Sequence, residues 1–498
     1  MGRTVLGLVL ALIISLTSFE TTVSAYQPDR TYTYDNDNEA VPSQNVYQTS
    51  LIVDEKVMGC TRLNNAQDIF VDSKDYVYIL DSGNQRVVIL NEEYHCVGEI
   101  TEFTYKGETQ MIAKGAKGIF YRESNQRIYL ADTENNRILV SDLNGNIQKI
   151  YEKPVSELLD PEQPYKPQKI VVDNMGIMYV TSGTVNTGAL LIDSANHFLG
   201  FYGTNKIKQS AEVIAEYMWR RILTDEQNAQ SETSFQPVEF NNIFWSEDRF
   251  VYAVSPTNDN VESPVVKLNA LGNSVFVEGE GFGDLEAQNR SDTEDANPNF
   301  IDITVDQDGF FTIVDSVSNK LYQYDNECNL IAAFGGVGYQ NGLFVSPVAI
   351  ETNQAADILV LDAKKNIITV MEQTYYGKMV RQAISLYNSG LYTEAIAPWS
   401  EVIRMNANYY IAYKGIGKAY MSIGEYKKAM EYFELALDQE NFSQAKAAYR
   451  ESVIRENFSL IVFLVVVIML LLLFQEFVTR RIKRVYQKIR GRKRGVMS

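Results

Sequence analysis

The chain has 498 residues, 45% hydrophobic and 22% charged, with a formal net charge of −18. That balance fits folded globular units, and the length asks for two or three of them. The acidity argues against nucleic acid or another anionic polymer as a ligand, and 31 tyrosines favour strands over helices.

The N-terminus reads as a secretory signal over residues 1–25. Arg3 precedes an apolar run from Val5 to Leu16, and small residues follow at Val23-Ser24-Ala25. The single charge before the run leaves an uncleaved anchor as the alternative. No Cys follows the small residues, which argues against a lipoprotein. Residues 26–46 are polar and aperiodic, predicting a disordered linker.

Residues 47–373 repeat. Units begin at Asn64, Gly115, Lys166, Phe240, Asn297 and Ser346, the fourth of them degenerate. Each unit opens with a short apolar strand such as Asp68–Val71, followed by a polar turn. A second strand ending in Asp comes next, such as Tyr76–Asp81, then a third, such as Arg86–Leu90, and an outer strand. Four short strands that cannot bury their faces alone predict blades stacked around an axis. The sixth unit shows only three strands, so Thr49–Glu55 is expected to supply its outer strand and leave no free edge.

The runs D-S-G-N-Q-R at Asp81–Arg86, D-T-E-N-N-R at Asp132–Arg137, D-S-V-S-N-K at Asp315–Lys320 and D-A-K-K-N at Asp362–Asn366 resemble the NHL-repeat family of six-bladed propellers, over roughly residues 50–372. The expected fold class is mainly β: a six-bladed NHL-like β-propeller, then an α-helical stack and one transmembrane helix. Asp81, Asp132, Asp315 and Asp362 begin the turn between second and third strands. Their expected role is structural: the carboxylate accepts turn N–H groups, while Arg86, Arg137 or Lys320 pairs with a neighbouring blade.

Three connections between blades are long: residues 152–166, 204–236 and 278–298. The second carries a helical stripe over residues 207–223, expected to lie across the propeller face near the channel mouth. Tyr217, Trp219, Arg220 and Arg221 are its candidate binding residues; the competing reading is a helix packed down for stability. The third carries Glu278, Glu280, Asp284, Glu286, Asp292, Glu294 and Asp295. No cofactor is expected from the sequence. Calcium is the one candidate, because carboxylates are hard ligands, but no EF-hand spacing appears and a solvated acidic loop is the stronger reading.

Two histidines, His95 and His197, both fall in turns before outer strands, far from a central channel. A His-based zinc site or triad is therefore not expected, and no nucleophile elbow, phosphate loop or dinucleotide fingerprint occurs. Resemblance to gluconolactonase-like propellers leaves a metal-dependent lactonase or hydrolase as the alternative to a binding role. Cys60, Cys96 and Cys328 lack metal-type spacing; Cys60 and Cys96 are candidates for a disulfide in an oxidising compartment.

Over residues 376–456 the period becomes helical, and two segments align at a 34-residue offset: Gly390 with Gly424, Tyr392 with Tyr426, Ala395 with Ala429, Trp399 with Phe433, and Ala383 with Gly417. These resemble two tetratricopeptide (TPR) repeats, a stack that either binds peptide or serves as a spacer, with a capping helix from Ser443 to Glu456. Residues 457–478 form the expected transmembrane helix, long enough to cross the hydrocarbon and apolar on every face. Residues 479–498 form a basic tail, with Arg480, Arg481, Lys483, Arg484, Lys488, Arg490, Arg492, Lys493 and Arg494. The basic side is expected in the cytoplasm and the N-terminal portion outside a cell membrane crossed once. The order propeller, TPR, anchor resembles Gram-positive surface proteins often encoded near carbohydrate ABC transporters. That resemblance implies an extracytoplasmic scaffold recognising a protein in or near the membrane, or a saccharide.

Overall fold

The computed structural model describes residues 31–35, 39–185, 188–203, 239–257, 263–276, 281–284 and 297–494. Residues 1–25, expected as a signal segment, and Tyr217, Trp219, Arg220 and Arg221 lie outside them. Two compact units are present: Met1–Ser385 with Arg404–Tyr409, and Leu386–Ile403 with Tyr410–Ser498.

The first unit is a six-bladed β-propeller. Its blades are the antiparallel sheets β4-β5-β6-β7 (Asp68–Ile100), β10-β11-β12-β13 (Gly118–Tyr151), β14-β15-β16-β17 (Pro167–Tyr202), β18-β19-β20 (Asn242–Leu268), β21-β22-β23-β24 (Phe300–Gly335) and β25-β26-β27 (Pro347–Gln373). The innermost strands β4, β10, β14, β18, β21 and β25 neighbour one another in sequence order, and β25 meets β4, closing the ring. Second strands such as Val77–Asp81, Phe311–Asp315 and Ile358–Asp362 are buried throughout. Blades cover both of their faces, which is why they read as continuous rather than alternating apolar runs. Aromatic stacking joins blades: the rings of Tyr78 and Tyr121 lie 4.3 Å apart.

The ring closes as the sequence implies. β3 (Tyr47–Val53) pairs with β27 as the fourth strand of the last blade, Val370 opposite Leu51 and Ile368 opposite Val53. The strand begins two residues earlier than expected.

Three features depart from the sequence reading. Part of the linker expected to be disordered is a hairpin, β1 (Tyr32–Tyr34) with β2 (Ala40–Pro42), which extends the outer edge of β24. Tyr32 and Tyr34 pack against the core of blade five, and the Thr33 hydroxyl donates to the Leu330 carbonyl at 2.9 Å. Between blades one and two a short hairpin, β8 (Phe103–Tyr105) with β9 (Glu108–Gln110), was not anticipated. Blade four has three strands among the described residues; its expected outer segment makes only a Leu268–Ser274 bridge there.

Seven α-helices are present among the described residues: α1 (Glu55–Met58), α2 (Tyr375–Asn388), α3 (Tyr392–Met405), α4 (Tyr410–Ser422), α5 (Tyr426–Leu435), α6 (Gln439–Glu456) and α7 (Phe458–Arg494). The first part of α2 belongs with the propeller rather than with the helical unit. Arg381 is buried there, its guanidinium 2.7 Å from the Asp306 carboxylate and stacked 4.1 Å over Phe310.

Within the helical unit two turns 34 residues apart share one geometry. Gly390 and Gly424 have φ of +77° and +82°; Leu391 N–H donates to Leu386 and Glu425 N–H to Tyr420, both at 2.9 Å. This is a left-handed glycine cap that satisfies late helix carbonyls. Ala395, Trp399, Ala429 and Phe433 are buried, whereas Tyr392 and Tyr426 are half-buried. Gly417 sits against the Phe433 ring, where an added Cβ would come within 2.6 Å. α7 holds a candidate membrane span, Phe458–Gln487, of which an 18-residue stretch has a mean hydropathy of 3.0 and is not buried by protein. The same helix runs on into the basic segment as far as Arg494, so the apolar stretch and the basic tail are one element.

Candidate functional site

Each inner strand presents one residue to the axis just before a ring of isoleucines. The column reads Asp68, Gly118, Lys169, Asn242, Asp302 and Ala349, preceding Ile69, Ile119, Ile170, Ile243, Ile303 and Ile350. An innermost strand has no further strand on its axial side, so its N–H groups there need other acceptors. Two carboxylates of the column supply them from one blade to the next. Asp68 Oδ2 accepts from Ile119 N–H at 2.8 Å, and Asp302 Oδ2 accepts from Ile350 N–H at 2.7 Å. Asp302 Oδ1 also accepts from Ile303 N–H at 2.8 Å and from the Asn242 amide.

Lys169 donates to Asp68 Oδ1, spanning the width of blade two. Blade two carries Gly118 there, and a Cβ would come 2.3 Å from the Gln168 carbonyl oxygen and 3.1 Å from Lys169 Cα. One more acid, Glu351, lines the cavity two residues after Ala349; the Thr304 hydroxyl donates to its Oε2 at 3.3 Å.

These groups form the floor of a cavity of about 430 Å³ along the axis. Phe70, Phe120, Val171 and Phe244 supply its apolar wall, with the Phe70 and Phe120 rings edge to face at 5.1 Å. Ser73, Glu123, Asn174, Glu247, Gln307 and Gln354, all exposed, form a polar rim at the turns that follow the inner strands. The rim is thus at the end of the inner strands away from the long connections, which enter at their starts. The sequence reading pointed to the connection side; the cavity rim lies opposite.

Three acids and one base share this floor. Burial pushes the Asp68 carboxyl up against the opposing pull of Lys169. Burial raises Asp302 to about 7, with Asp68 adding to the rise and Lys169 opposing it. Burial, then the charges of Asp302 and Asp68, hold Glu351 well above the usual carboxylate range. Burial would lower Lys169, but Asp68 and Asp302 outweigh it and keep the ammonium charged. With a single side-chain hydrogen bond, from Thr304, Glu351 is the least satisfied acid of the group. Such an arrangement can bind a polar group or pass a proton. Sequence reasoning missed Asp68, Lys169, Asn242, Asp302 and Glu351, although aligning the six units on the isoleucine would have exposed most of them as one column.

Each turn carboxylate accepts a backbone N–H from the segment before its blade. Asp81 accepts from Asn64 N–H and the Asn84 amide, both at 2.8 Å, and pairs with Arg86 at 2.7 Å. Asp132 accepts from Ala113 N–H at 2.7 Å and pairs with Arg137 at 2.8 Å. Asp315 accepts from Asn299 N–H at 2.8 Å, and Asp362 from Val345 N–H at 2.7 Å. The expected pairing of the cations with a neighbouring blade does not occur: Arg86 and Arg137 fold back onto their own turns. Lys320 instead reaches Asp284 at 3.2 Å and the face of Tyr32 at 4.7 Å. Asp284 is the one acid of the calcium candidate group that lies among the described residues. His95 and His197 stand in peripheral turns, His197 exposed and paired with Asp193 at 3.0 Å.

No protein family and no curated protein matches the sequence. Among solved structures the chain is similar to virginiamycin B lyase from Staphylococcus aureus, at 14% identity and a TM-score of 0.38, covering 63% of this chain and 98% of that one. It is also similar to a gluconolactonase from Xanthomonas campestris, at 10% identity and a TM-score of 0.39, covering 69% and 95%. At such scores the fold assignment stands on the strand pairing: this is a six-bladed β-propeller protein with a C-terminal helical segment ending in one apolar helix.

Proposed function

We propose that the protein is a membrane-anchored recognition scaffold. The propeller and a TPR-like helical stack stand outside the cell, held by α7, and engage a protein in or near the membrane or a saccharide, in the manner of an accessory to carbohydrate transport. One observation carries the reading: an 18-residue stretch within Phe458–Gln487 has a mean hydropathy of 3.0, and none of it is covered by protein. Transfer of such a surface to hydrocarbon is favourable by about 25 cal/mol per Å², whereas in water it would be an association hazard. The basic residues that follow favour the cytoplasmic side, and the paired glycine caps at Gly390 and Gly424 support the TPR-like reading.

The test is fractionation of cells making the full chain, with alkaline carbonate washing and external protease. Retention in the washed membrane, with the propeller digested from outside, is the expected result; a chain ending at Asn457 should be released. Release of the full chain by carbonate would overturn the anchor, and protection from protease would overturn the outside placement. Crosslinking in intact cells then identifies the partner.

The cavity floor favours a second reading, a lactonase or hydrolase, because Asp68, Asn242, Asp302 and Glu351 bring acid and amide oxygens to one pocket. Lys169 stands among them as an internal cation. Among the described residues these acids do not converge within 4.8 Å as a three-donor metal group. Lactone hydrolysis with added divalent metal, lost in Glu351→Gln, would favour this reading over the scaffold.

A further inference from the structure

Cys60 and Cys96 lie in different parts of the propeller yet meet. Cys60 follows α1, the single helical turn after the closing strand β3. Asp54 caps that turn by accepting from Lys56 and Val57 N–H at 3.0 and 3.1 Å, and Gly59 ends it at φ +72°. Cys96 opens β7, the outer strand of blade one. The two sulfurs and a Glu99 carboxylate oxygen all lie within 4.8 Å of one another. Both cysteines pack against the core cluster that joins the last blade to the first, with Val53, Met58, Leu90 and Ile368. Their approach is held by Arg86, whose guanidinium binds Glu99 at 2.5 Å and the Thr61 carbonyl at 2.6 Å.

A trio of Cys, Cys and Glu also invites a metal. Zinc in a structural site takes four donors, and the described residues bring only these three together. The Glu99 oxygen is committed to Arg86, whose positive charge opposes a cation there. Two thiols facing each other without a fourth donor suit a disulfide better. Burial pushes the Cys60 thiol up to about 12, which marks it as a poor nucleophile and fits a structural pair rather than a catalytic one.

We propose that Cys60 and Cys96 form a disulfide that staples the propeller at its closure, tying the segment after the closing strand to the outer strand of blade one. The bond forms by thiol–disulfide exchange with an external disulfide. One cysteine thiolate attacks and releases one external thiol, and the second cysteine attacks the mixed disulfide and releases the other. The external disulfide is thereby reduced and both cysteine protons pass to the released thiols. Cys328, in a turn of blade five, is left as the single thiol. That the bond forms in the cell rests on the outside placement proposed above; that the pair can form it does not.

The experiment uses the full-length chain in detergent, equilibrated with oxidised or reduced glutathione. Free thiols are counted after denaturation, and disulfide-linked peptides are identified by mass spectrometry. The expected result is three thiols when reduced and one when oxidised, with a peptide joining Cys60 to Cys96. Closing a loop of about 36 residues should raise the propeller Tm by about 5 °C over the reduced form. Cys96→Ser should remove both the linked peptide and the Tm difference, and Cys60→Ser serves if that variant fails to fold. Three thiols after oxidation, or a Cys328-linked product, would overturn the proposal. So would zinc that blocks both thiols at stoichiometric load and raises Tm in place of oxidation. Alkylation trapping in intact cells separates the two readings: a pair that oxidises when purified but stays reduced in cells leaves the staple standing and counts against the outside placement.

Discussion

Lys169 and Asp68 are joined by an ion pair that bridges past blade two although 101 residues separate them in the chain. The pair spans a blade whose own position is a glycine, so three blades are coupled through one buried contact. Lys169→Met would leave three buried acids with no cation. Removing one partner of a buried pair typically costs about 3–5 kcal/mol, and that loss is expected at neutral pH in urea or thermal unfolding. Asp68→Asn should cost less, because Asp302 and Glu351 still face Lys169 and the Asn oxygen can keep the bond from Ile119. The double variant should recover part of the Lys169→Met loss. Additive losses in the double variant would mean that the two groups are not energetically coupled.

The acids on the floor also set a pH dependence. Asp302 titrates at about 7 in the folded chain, against about 3.9 for an unperturbed Asp. Its folded value is raised, so between about pH 4 and 7 the unfolded chain has released a proton that the folded chain retains. The folded state binds more protons, and the contribution of this group to stability falls as pH rises through that window. Unfolding midpoints should therefore decline between about pH 5 and 7.5, and Asp302→Asn should flatten the decline. An unchanged slope in that variant would place the titration on another group.

Blade grammar was legible because it is local: turn residues and apolar runs recur at a fixed distance, and the missing strand of the sixth unit pointed to Thr49–Glu55 as its closing strand, observed at Tyr47–Val53. The β1–β2 hairpin was not legible. Its strands are three residues each, and its partner is set by contacts such as Tyr32 opposite Ala333, which leave no local periodicity. The cavity floor lay between these cases. Each member stands beside a conserved element of the repeat pattern, the isoleucine, but the chemistry emerges only when six columns are brought to one axis. Arg381 shows the opposite failure: helical periodicity assigned its helix to the stack, while its buried pair with Asp306 binds it to blade five.

The turn carboxylates differ in what their loss would strand. Asp81 is fully buried and pairs with an Arg86 side chain that is only 5% exposed. Asp315 accepts mainly backbone N–H bonds and the Ser318 hydroxyl, with no cation beside it among its hydrogen-bond partners. Asp81→Asn is expected to cost about 2–4 kcal/mol by weakening the hold on Arg86, and Asp315→Asn about 1–2 kcal/mol. Thermal unfolding of the two variants checks the order, and a larger loss for Asp315→Asn would contradict it.

Glycines in the helical unit separate conformation from space. At Gly390 and Gly424 an added Cβ meets nothing within 4 Å, so only the left-handed φ resists substitution. Ala at either position should cost about 1 kcal/mol, and nearly the same at both if the two turns are equivalent. Gly417 has an ordinary helical φ, but its Cβ would come within 2.6 Å of the Phe433 ring. Since Phe433 is buried and has little room to move, Gly417→Ala should cost more, about 2–3 kcal/mol, through overpacking. Gly417→Ala combined with Phe433→Leu should then cost less than the two single changes together, because the smaller side chain relieves the clash. A neutral Gly417→Ala, or losses that simply add in the double variant, would show that small-residue packing between α4 and α5 does not hold this pair of helices together.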